Sequence, residues 1–196
     1  KWHSTMSTHY LEITLLPDPE FSHAHLLGAL VAKLHRILVH LQSTGIGASF
    51  PQHVSQPPHH RTLGSVLRLH GTLPELQHLM SQHWLRGMHD HIQMTDLLAV
   101  PPHAQHRIVR RRQFKTNVER LRRRRMRRKG ETAEQAATAI PDSVERRPDL
   151  PFVQLRSHST GHPFRLYVEH GPLLPQAVSG QFNAYGLTQD ATVPWF

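Results

Sequence analysis

The apolar residues between Leu26 and Leu41 recur every three or four positions. This period places them along one side of an α-helix, so we predict a helix over residues 21–41 that buries one face in a core. Before it, the segment "HYLEITLL" (residues 9–16) alternates apolar and polar residues as a half-buried strand does, and "PDP" ends that strand. A strand followed directly by a core helix restricts the fold to helices packed on a sheet.

Further segments extend this pattern toward residue 100. Short apolar runs predict strands at residues 46–50, 63–70 and 91–100. A second helix fits between the last two strands, because Thr72 can cap it, Pro74 suits its first turn and Glu75 stands at the third position of a capping box. We predict that this helix continues to Leu85.

The predicted order β-α-β-β-α-β is that of a ferredoxin-like unit. We therefore predict an α+β protein with an N-terminal ferredoxin-like domain over residues 8–102 and a C-terminal α/β domain over residues 103–196. In the second domain, "RIVRRRQF" (residues 107–114) is basic and extended. "TNVE" (residues 116–119) is a capping box that opens an arginine-rich helix, which Gly130 ends. A short helical segment is predicted at residues 131–140, and extended segments follow at residues 152–157, 164–170 and 180–187.

The positive charge of the chain is concentrated in one block. Residues 107–129 hold thirteen basic residues and one acidic residue, whereas the rest of the chain holds ten basic and thirteen acidic residues. Such a block is typical of a protein that binds a polyphosphate, because each phosphate contact releases counterions. A solvated tail is the commoner fate of a basic run, but this block lies between patterned segments. Charge alone does not distinguish DNA from RNA.

The arginine-rich helix has two different sides. Val118, Leu121 and Met126 gather loosely on one side of a helical wheel, and they form a thin edge for docking. The bulky apolar face that a membrane-surface helix requires is absent from it. The arginines at positions i, i+3, i+4 and i+7 form one continuous stripe, namely Arg120, Arg123, Arg124 and Arg127.

Several function classes are excluded by composition. The chain contains no cysteine, so disulfides, thiolate metal sites and a cysteine nucleophile are ruled out. It has no run of eighteen apolar residues and no leader pattern, so we expect a cytoplasmic protein without a membrane span. The histidine pairs His23/His25, His59/His60 and His89/His91 have no second ligand set at a recognised spacing, so we predict neither a metal nor a cofactor.

Several motifs follow one another in an order that indicates a family. They are "HYLEITLLPDPEF", "KLH", "IGASFP", "NVERLRRRRMRR", "IPDSV", "DLPFVQLRSHSTGHPFRLYVEHGPL" and the terminal "YGLT" and "VPWF". With them the chain resembles the CRISPR-associated repeat endoribonucleases of the type I-F system, from about residue 9 to residue 196. The resemblance implies an enzyme that cuts CRISPR repeat RNA at the base of a stem-loop without a metal. It also implies a place among the subunits of a type I-F surveillance complex.

The resemblance implies roles for individual residues. His35 in "KLH" matches a catalytic histidine, Ser157 the serine that holds the attacking ribose hydroxyl, and Tyr185 the tyrosine that constrains the histidine. Arg111 and Gln113 match residues that read base edges low in the stem. The remaining matches are Phe164, which stacks on the last base pair, Ser159, a nearby RNA contact, and the helix residues Arg123, Arg124, Arg127 and Arg128 on stem phosphates. Three of those four helix arginines lie on the stripe found from the helical wheel, and Arg120 completes it.

The residues permit a reaction that needs no metal. RNA carries its own nucleophile, the 2′-hydroxyl beside the scissile phosphate. Histidine transfers protons near neutral pH, and attack by the hydroxyl would leave a 2′,3′-cyclic phosphate and a 5′-hydroxyl. Two other functions remain open from the sequence. One is a catalytically inactive subunit that holds guide RNA in an effector complex, and the other is a general RNA-binding or ribosome-associated protein.

Overall fold

A computed structural model describes residues 6–113, 117–144 and 148–196 of the chain. It divides into two compact units, Lys1–Arg111 with Leu150–Phe196, and Arg112–Asp149. Helices and strands are both present, so the predicted α+β class is confirmed. In chain order the elements are β1 (His9–Leu15), α1 (His23–Leu41), β2 (Gly47–Ser49), β3 (Val66–Gly71), α2 (Leu73–Met80), β4 (Ile92–Met94), β5 (Leu98–Ala99), β6 (Gln105–Arg107), β7 (Val109–Arg112), α3 (Val118–Lys129), α4 (Ala133–Ala139), β8 (Phe152–Arg156), β9 (Pro163–His170) and β10 (Val193–Trp195).

The main sheet has the strand order β2-β3-β1-β4, and β5 pairs with the other end of β1. All of these pairings are antiparallel, and the central strand β1 places Ile13 opposite Leu67 of β3 and Met94 of β4. The predicted strands and helices between residues 9 and 100 occur in the predicted order. Three further strands form a separate sheet in the order β7-β9-β8, and β10 pairs with β6.

Helix α1 supplies one face of the core. The side chain of Ser22 caps its first turn by accepting from the backbone N–H of His25, and seven of the helix residues are buried. At Gly28 the helix packs directly on β8, because a Cβ atom there would lie 2.8 Å from the carbonyl oxygen of Gln154. This close approach places the N-terminal half of α1 beside the strand that ends at Arg156. By length and composition α1 could also cross a membrane. A helix that is buried in a protein core can have the same length and apolar composition.

Two predicted elements in the first unit are shorter than expected. The α2 capping box is present, since Thr72 accepts from Glu75 N and the Glu75 carboxylate accepts from Thr72 N. The helix nevertheless ends at Met80, not Leu85, because His83 adopts a positive φ of 51° and the chain leaves the helical path. The strand predicted over residues 91–100 is two short strands. Between them Thr95 bonds to Glu12 through its side chain and its backbone N–H.

The segment at residues 180–187 is a turn, not the predicted extended segment. The side-chain oxygen of Asn183 accepts from the backbone N–H groups of Tyr185 and Leu187, and Gly186 adopts a φ of +73°. Asparagine and glycine favour such turns because one bonds to its own backbone and the other tolerates positive φ. The turn fixes the position of Tyr185.

Candidate active site and nucleic-acid interface

A cleft of about 810 Å³ lies in the first unit. The wall of the cleft is formed by the middle of α1, the end of β7, the hairpin between β8 and β9, and the 183–187 turn. It is lined by Ala32, His35, Arg36, Arg111, Leu155, Arg156, Ser157, His158, Ser159, Thr160, Gly161, His162, Pro163, Phe164 and Tyr185. Six of the residues predicted from the sequence therefore share one cleft: His35, Arg111, Ser157, Ser159, Phe164 and Tyr185.

The imidazole of His35 is held by two contacts. Its ring stacks on the ring of Tyr185, with centroids 4.0 Å apart and an angle of 6° between the planes. Its Nδ1 lies 3.0 Å from the backbone oxygen of Ala184. Because a carbonyl oxygen only accepts, Nδ1 must carry the hydrogen. In the neutral ring the lone pair is then on Nε2, and His35 can accept a proton there.

Ser157 lies at the first position of the β8–β9 hairpin turn. Its backbone N–H donates to the oxygen of His162, and its own carbonyl accepts from Gly161 N. Its hydroxyl lies 3.1 Å from the Ser159 hydroxyl and accepts from Thr160 N at 3.3 Å. This turn presents a cluster of hydroxyl groups to the cleft on a backbone that its own hydrogen bonds hold in place.

Arg111 lies between two aromatic rings of the cleft. The central carbon of its guanidinium group is 5.7 Å from the ring centroid of Phe164 and 5.5 Å from that of Tyr185. Its buried Nε has no hydrogen-bond partner among the residues that the structure describes. Phe164 is half-buried and packs against the core. Arg111, which is predicted to read a base edge, is therefore in contact with Phe164, which is predicted to stack on a base pair.

The second unit contains the arginine-rich helix, α3. Its N-cap is Asn117, whose side chain accepts from Arg120 N, and Gly130 ends it with a φ of +65°. The sequence predicted a capping box from Thr116 to Glu119, and Thr116 lies outside the described residues. The helix starts one residue later than that box requires, in keeping with the strong preference for asparagine at N-caps. The predicted RNA-binding residues of the helix are all exposed: Arg120, Arg123, Arg124, Arg127 and Arg128.

Two other arginines of α3 are half-buried and hydrogen-bonded within the second unit, whereas the exposed Arg123 makes only a longer ion pair of 3.7 Å with Glu119. Arg122 donates to the backbone oxygen of Ile140 and to the carboxylate of Asp142 at 2.8 Å. Arg125 makes a two-point contact with Glu131, which raises the pKa of Arg125 and lowers that of Glu131. Charge density in the sequence indicated a polyanion partner for the whole block and did not predict that some of its arginines bind within the protein. The position of Glu131 directly after the block was the feature of the sequence that could have indicated it.

Four arginine and histidine residues of the cleft were not predicted as site residues from the sequence. Arg36 follows His35 directly, and Arg156, His158 and His162 belong to the hairpin around Ser157. Because histidine is abundant in this chain, the sequence did not distinguish His158 and His162 as site residues. Gln113 is exposed and belongs to the second unit. Within residues 6–113, 117–144 and 148–196, no group of three histidine, aspartate or glutamate residues could hold a metal ion.

Comparison with known proteins identifies relatives over almost the whole chain. Residues 10–196 match the family model described as "CRISPR-associated protein (Cas_Csy4)". A protein of Pseudomonas aeruginosa (strain UCBPP-PA14) named "CRISPR-associated endonuclease Cas6/Csy4" is 47% identical over 188 residues, which are 96% of this chain and 99% of that protein. A protein of the same name from Escherichia coli (strain UTI89 / UPEC) is 43% identical over the same shares of both chains.

A solved structure titled "An RAMP protein binding different RNA substrates" aligns with 95% of this chain and 99% of its own. Its TM-score is 0.32 and its sequence identity is 11%.

Proposed function

This chain belongs to the Csy4 family of CRISPR-associated proteins, and from that membership we infer that it is an endoribonuclease that cleaves CRISPR repeat RNA. The match covers nearly the whole of both named endonucleases, so the inference rests on their full length and not on one shared domain. We propose in addition how the cut is made and how the RNA is chosen.

The catalytic base is His35. The observation that carries this assignment is the pair of contacts that Tyr185 and Ala184 make with its ring. They fix the ring plane and place the hydrogen on Nδ1, which leaves Nε2 to take the proton of the 2′-hydroxyl. Such positioning saves several kcal/mol of the barrier because the reacting groups no longer search for their orientation.

Ser157 holds the attacking hydroxyl in line and does not itself attack. The 2′-oxygen forms a bond to phosphorus, its proton passes to His35, and the bond from phosphorus to the 5′-oxygen breaks. The 5′-oxygen takes a proton from water. The products are a 2′,3′-cyclic phosphate and a 5′-hydroxyl, and no metal takes part. The cluster of hydroxyl groups at Ser157 and Ser159 supports this role.

The stem-loop is recognised by base contacts and by phosphate contacts. Arginine pairs with guanine and glutamine with adenine through their groove edges, so Arg111 reads a guanine and Gln113 an adenine near the base of the stem. Phe164 stacks on the last base pair, and Ser159 contacts the RNA nearby. The exposed arginines of α3 bind stem phosphates: Arg120, Arg123, Arg124, Arg127 and Arg128.

Residues 8–102 form a ferredoxin-like domain that carries the base, and residues 103–196 supply the RNA-binding side chains. The element order of β1 to β4 with α1 and α2 supports the first part. The product stays bound and serves as a nucleation point for the other subunits of a type I-F surveillance complex in the cytoplasm.

The test is incubation of a labelled repeat stem-loop with the protein in EDTA. We expect one cut at the base of the stem, with a cyclic phosphate on the upstream product by mass spectrometry. His35→Ala should abolish the cut while it binds the stem-loop as before. His40→Ala should cut normally, because His40 is an exposed histidine of the same helix outside the cleft.

Replacement of the 2′-hydroxyl upstream of the cut by hydrogen should stop the reaction as completely as His35→Ala. Cleavage of that deoxy RNA would mean that water is the nucleophile. Tight binding without cleavage of either RNA would instead indicate an inactive guide-RNA-binding subunit.

A further inference from the structure

The cleft around His35 carries much more positive than negative charge. Among the residues that the structure describes, its lining includes three arginines and three histidines but no aspartate or glutamate. Because no carboxylate among those residues compensates the three arginine charges at the wall, the cleft favours an anion. The phosphodiester of the proposed reaction is such an anion, and its nonbridging oxygens gain negative charge on the way to the transition state.

Two of the three arginines already make contacts within the protein. Arg111 lies against the rings of Phe164 and Tyr185. Arg156 donates from Nη1 to the backbone oxygen of Gly161 and so supports the hairpin turn.

Arg36 differs from both of these arginines. It is exposed, and among residues 6–113, 117–144 and 148–196 its side chain makes no hydrogen bond or ion pair. It lines the cleft directly after His35 on α1. The guanidinium group of Arg36 is therefore available to a ligand beside the proposed base.

We propose that Arg36 is a further catalytic residue, whose guanidinium group binds the nonbridging oxygens of the scissile phosphate. This inference rests on the proposed ribonuclease function. A guanidinium group can donate two parallel hydrogen bonds to a phosphate and stays charged throughout the reaction. Its contact becomes stronger as charge accumulates on those oxygens, so it lowers the barrier more than it strengthens binding of the intact RNA. Arg36 exchanges no proton with the substrate.

The test separates the chemical step from binding. The single-turnover rate is measured with the protein in excess over repeat RNA, and affinity is measured with the uncleavable deoxy RNA. For Arg36→Ala we expect the rate to fall on the order of 100-fold, as when one preorganised donor to a transition state is removed. Affinity should change by less than about threefold, because the other cations of the interface still bind the RNA phosphates. Arg36→Lys should recover part of the rate, since lysine keeps the charge but not the two-point geometry.

Arg86→Ala is the matched control. Arg86 is an exposed arginine of the same unit, outside the cleft, and its loss changes the net charge by the same amount. The rate of Arg86→Ala should equal that of the wild-type protein. An equal loss in both variants would show a general effect of net charge and would overturn the proposal.

Substitution of sulfur for each nonbridging oxygen of the scissile phosphate tests the contact itself. One of the two phosphorothioate isomers should be cleaved slowly by the wild-type protein, and Arg36→Ala should reduce that discrimination. Additive effects of sulfur and of Arg36→Ala would overturn the contact. Weaker binding with an unchanged rate would overturn it too, because Arg36 would then hold a flanking phosphate.

If the wild-type protein does not cut in EDTA, the proposed function fails. If the wild-type protein cuts and Arg36→Ala cuts equally fast, the proposed function stands and only this inference fails.

Discussion

The ring of Tyr185 has a larger part in the site than its hydroxyl group. The ring stacks on His35 at 4.0 Å, whereas the hydroxyl makes no hydrogen bond among the residues that the structure describes. We predict that Tyr185→Phe keeps the single-turnover rate within about threefold, because phenylalanine preserves the stacking that holds the imidazole. Tyr185→Leu should be much slower, since the imidazole can then rotate. Equal losses in both variants would show that the hydroxyl acts in the reaction.

Two histidines, the buried His70 and the half-buried His170, make the folded protein sensitive to acid. The pKa of His70 is lowered to about 3, chiefly by burial and also by the nearby charge of Arg68. Burial, with smaller effects of His53 and Arg107, lowers the pKa of His170 to about 2. His70 bonds to the hydroxyl of Ser49, and His170 accepts from the backbone N–H of Phe50. Both histidines are therefore neutral in the folded state.

These pKa values predict that stability falls below about pH 6.5. A histidine whose folded pKa lies below its unfolded value of about 6.5 contributes its full stability above that pH and loses it as the unfolded chain takes up the proton. Each of the two histidines then costs up to about 1.4 kcal/mol per pH unit. Urea unfolding at pH 7, 6 and 5 measures the slope. His70→Gln should be less steep by about one proton, and a free energy of unfolding that does not vary over this range would contradict the assignment.

At the scale of helices and strands, the sequence pattern predicted those elements that are determined by residues close together in the chain. The apolar period fixed α1, and the Thr72–Glu75 capping box fixed the start of α2. The turn at residues 180–187 was missed, because its few apolar residues resemble a strand while the Asn183 side chain bonds to the backbone. The start of α3 was misplaced by one residue for a similar reason, since Asn117 competed with Thr116 as the cap.

The site depends on contacts that no local pattern contains. His35 and Ser157 are far apart in the chain, and the packing of α1 on β8 at Gly28 brings their elements together. The sequence predicted them as a pair only through the resemblance to a family. Arg36 was not among the matched residues, and it was recognised only once the cleft could be described.

The exposed stripe of α3 should control affinity and salt dependence together. Arg124 is exposed, and we propose that it binds a stem phosphate. Arg124→Ala should therefore weaken the binding of every stem variant by a similar factor. It should also reduce the slope of log K against log salt by about 0.7–0.9, because one phosphate is no longer neutralised by the protein. Titrations of two stem sequences at low, physiological and high salt measure both quantities.

The inner side of the same helix offers the control. The double variant Arg125→Gln with Glu131→Gln removes an arginine from α3 but leaves the net charge of the protein unchanged. Because Arg125 is bound by Glu131, its removal should leave the salt slope as in the wild-type protein. A slope that falls equally in the control and in Arg124→Ala would mean that the pattern of paired and exposed arginines does not matter.

The charge of the whole molecule is divided between a strongly basic block and a slightly acidic remainder. Residues 107–129 carry a net charge of +12 and the other residues a net charge of −3, from thirteen basic and one acidic residue against ten basic and thirteen acidic residues. Nonspecific attraction to RNA is therefore concentrated in one region of the chain. Binding energy from that block acts on the stem whether or not the RNA has been cut.

This distribution predicts that the enzyme keeps its product. In our proposal the stem or its end is bound by Arg111, Gln113, Phe164 and the exposed arginines of α3. The stem lies upstream of the cut. Cleavage removes only the RNA downstream of the cut, so most phosphate contacts survive and dissociation is slow. With RNA in about tenfold excess, product should reach about one equivalent per enzyme and stop, as expected when release limits the reaction. Arg124→Ala, or higher salt, should allow slow turnover, because both weaken the phosphate contacts that hold the product. Steady cleavage of many equivalents by the wild-type protein at physiological salt would show that the bound product is not retained.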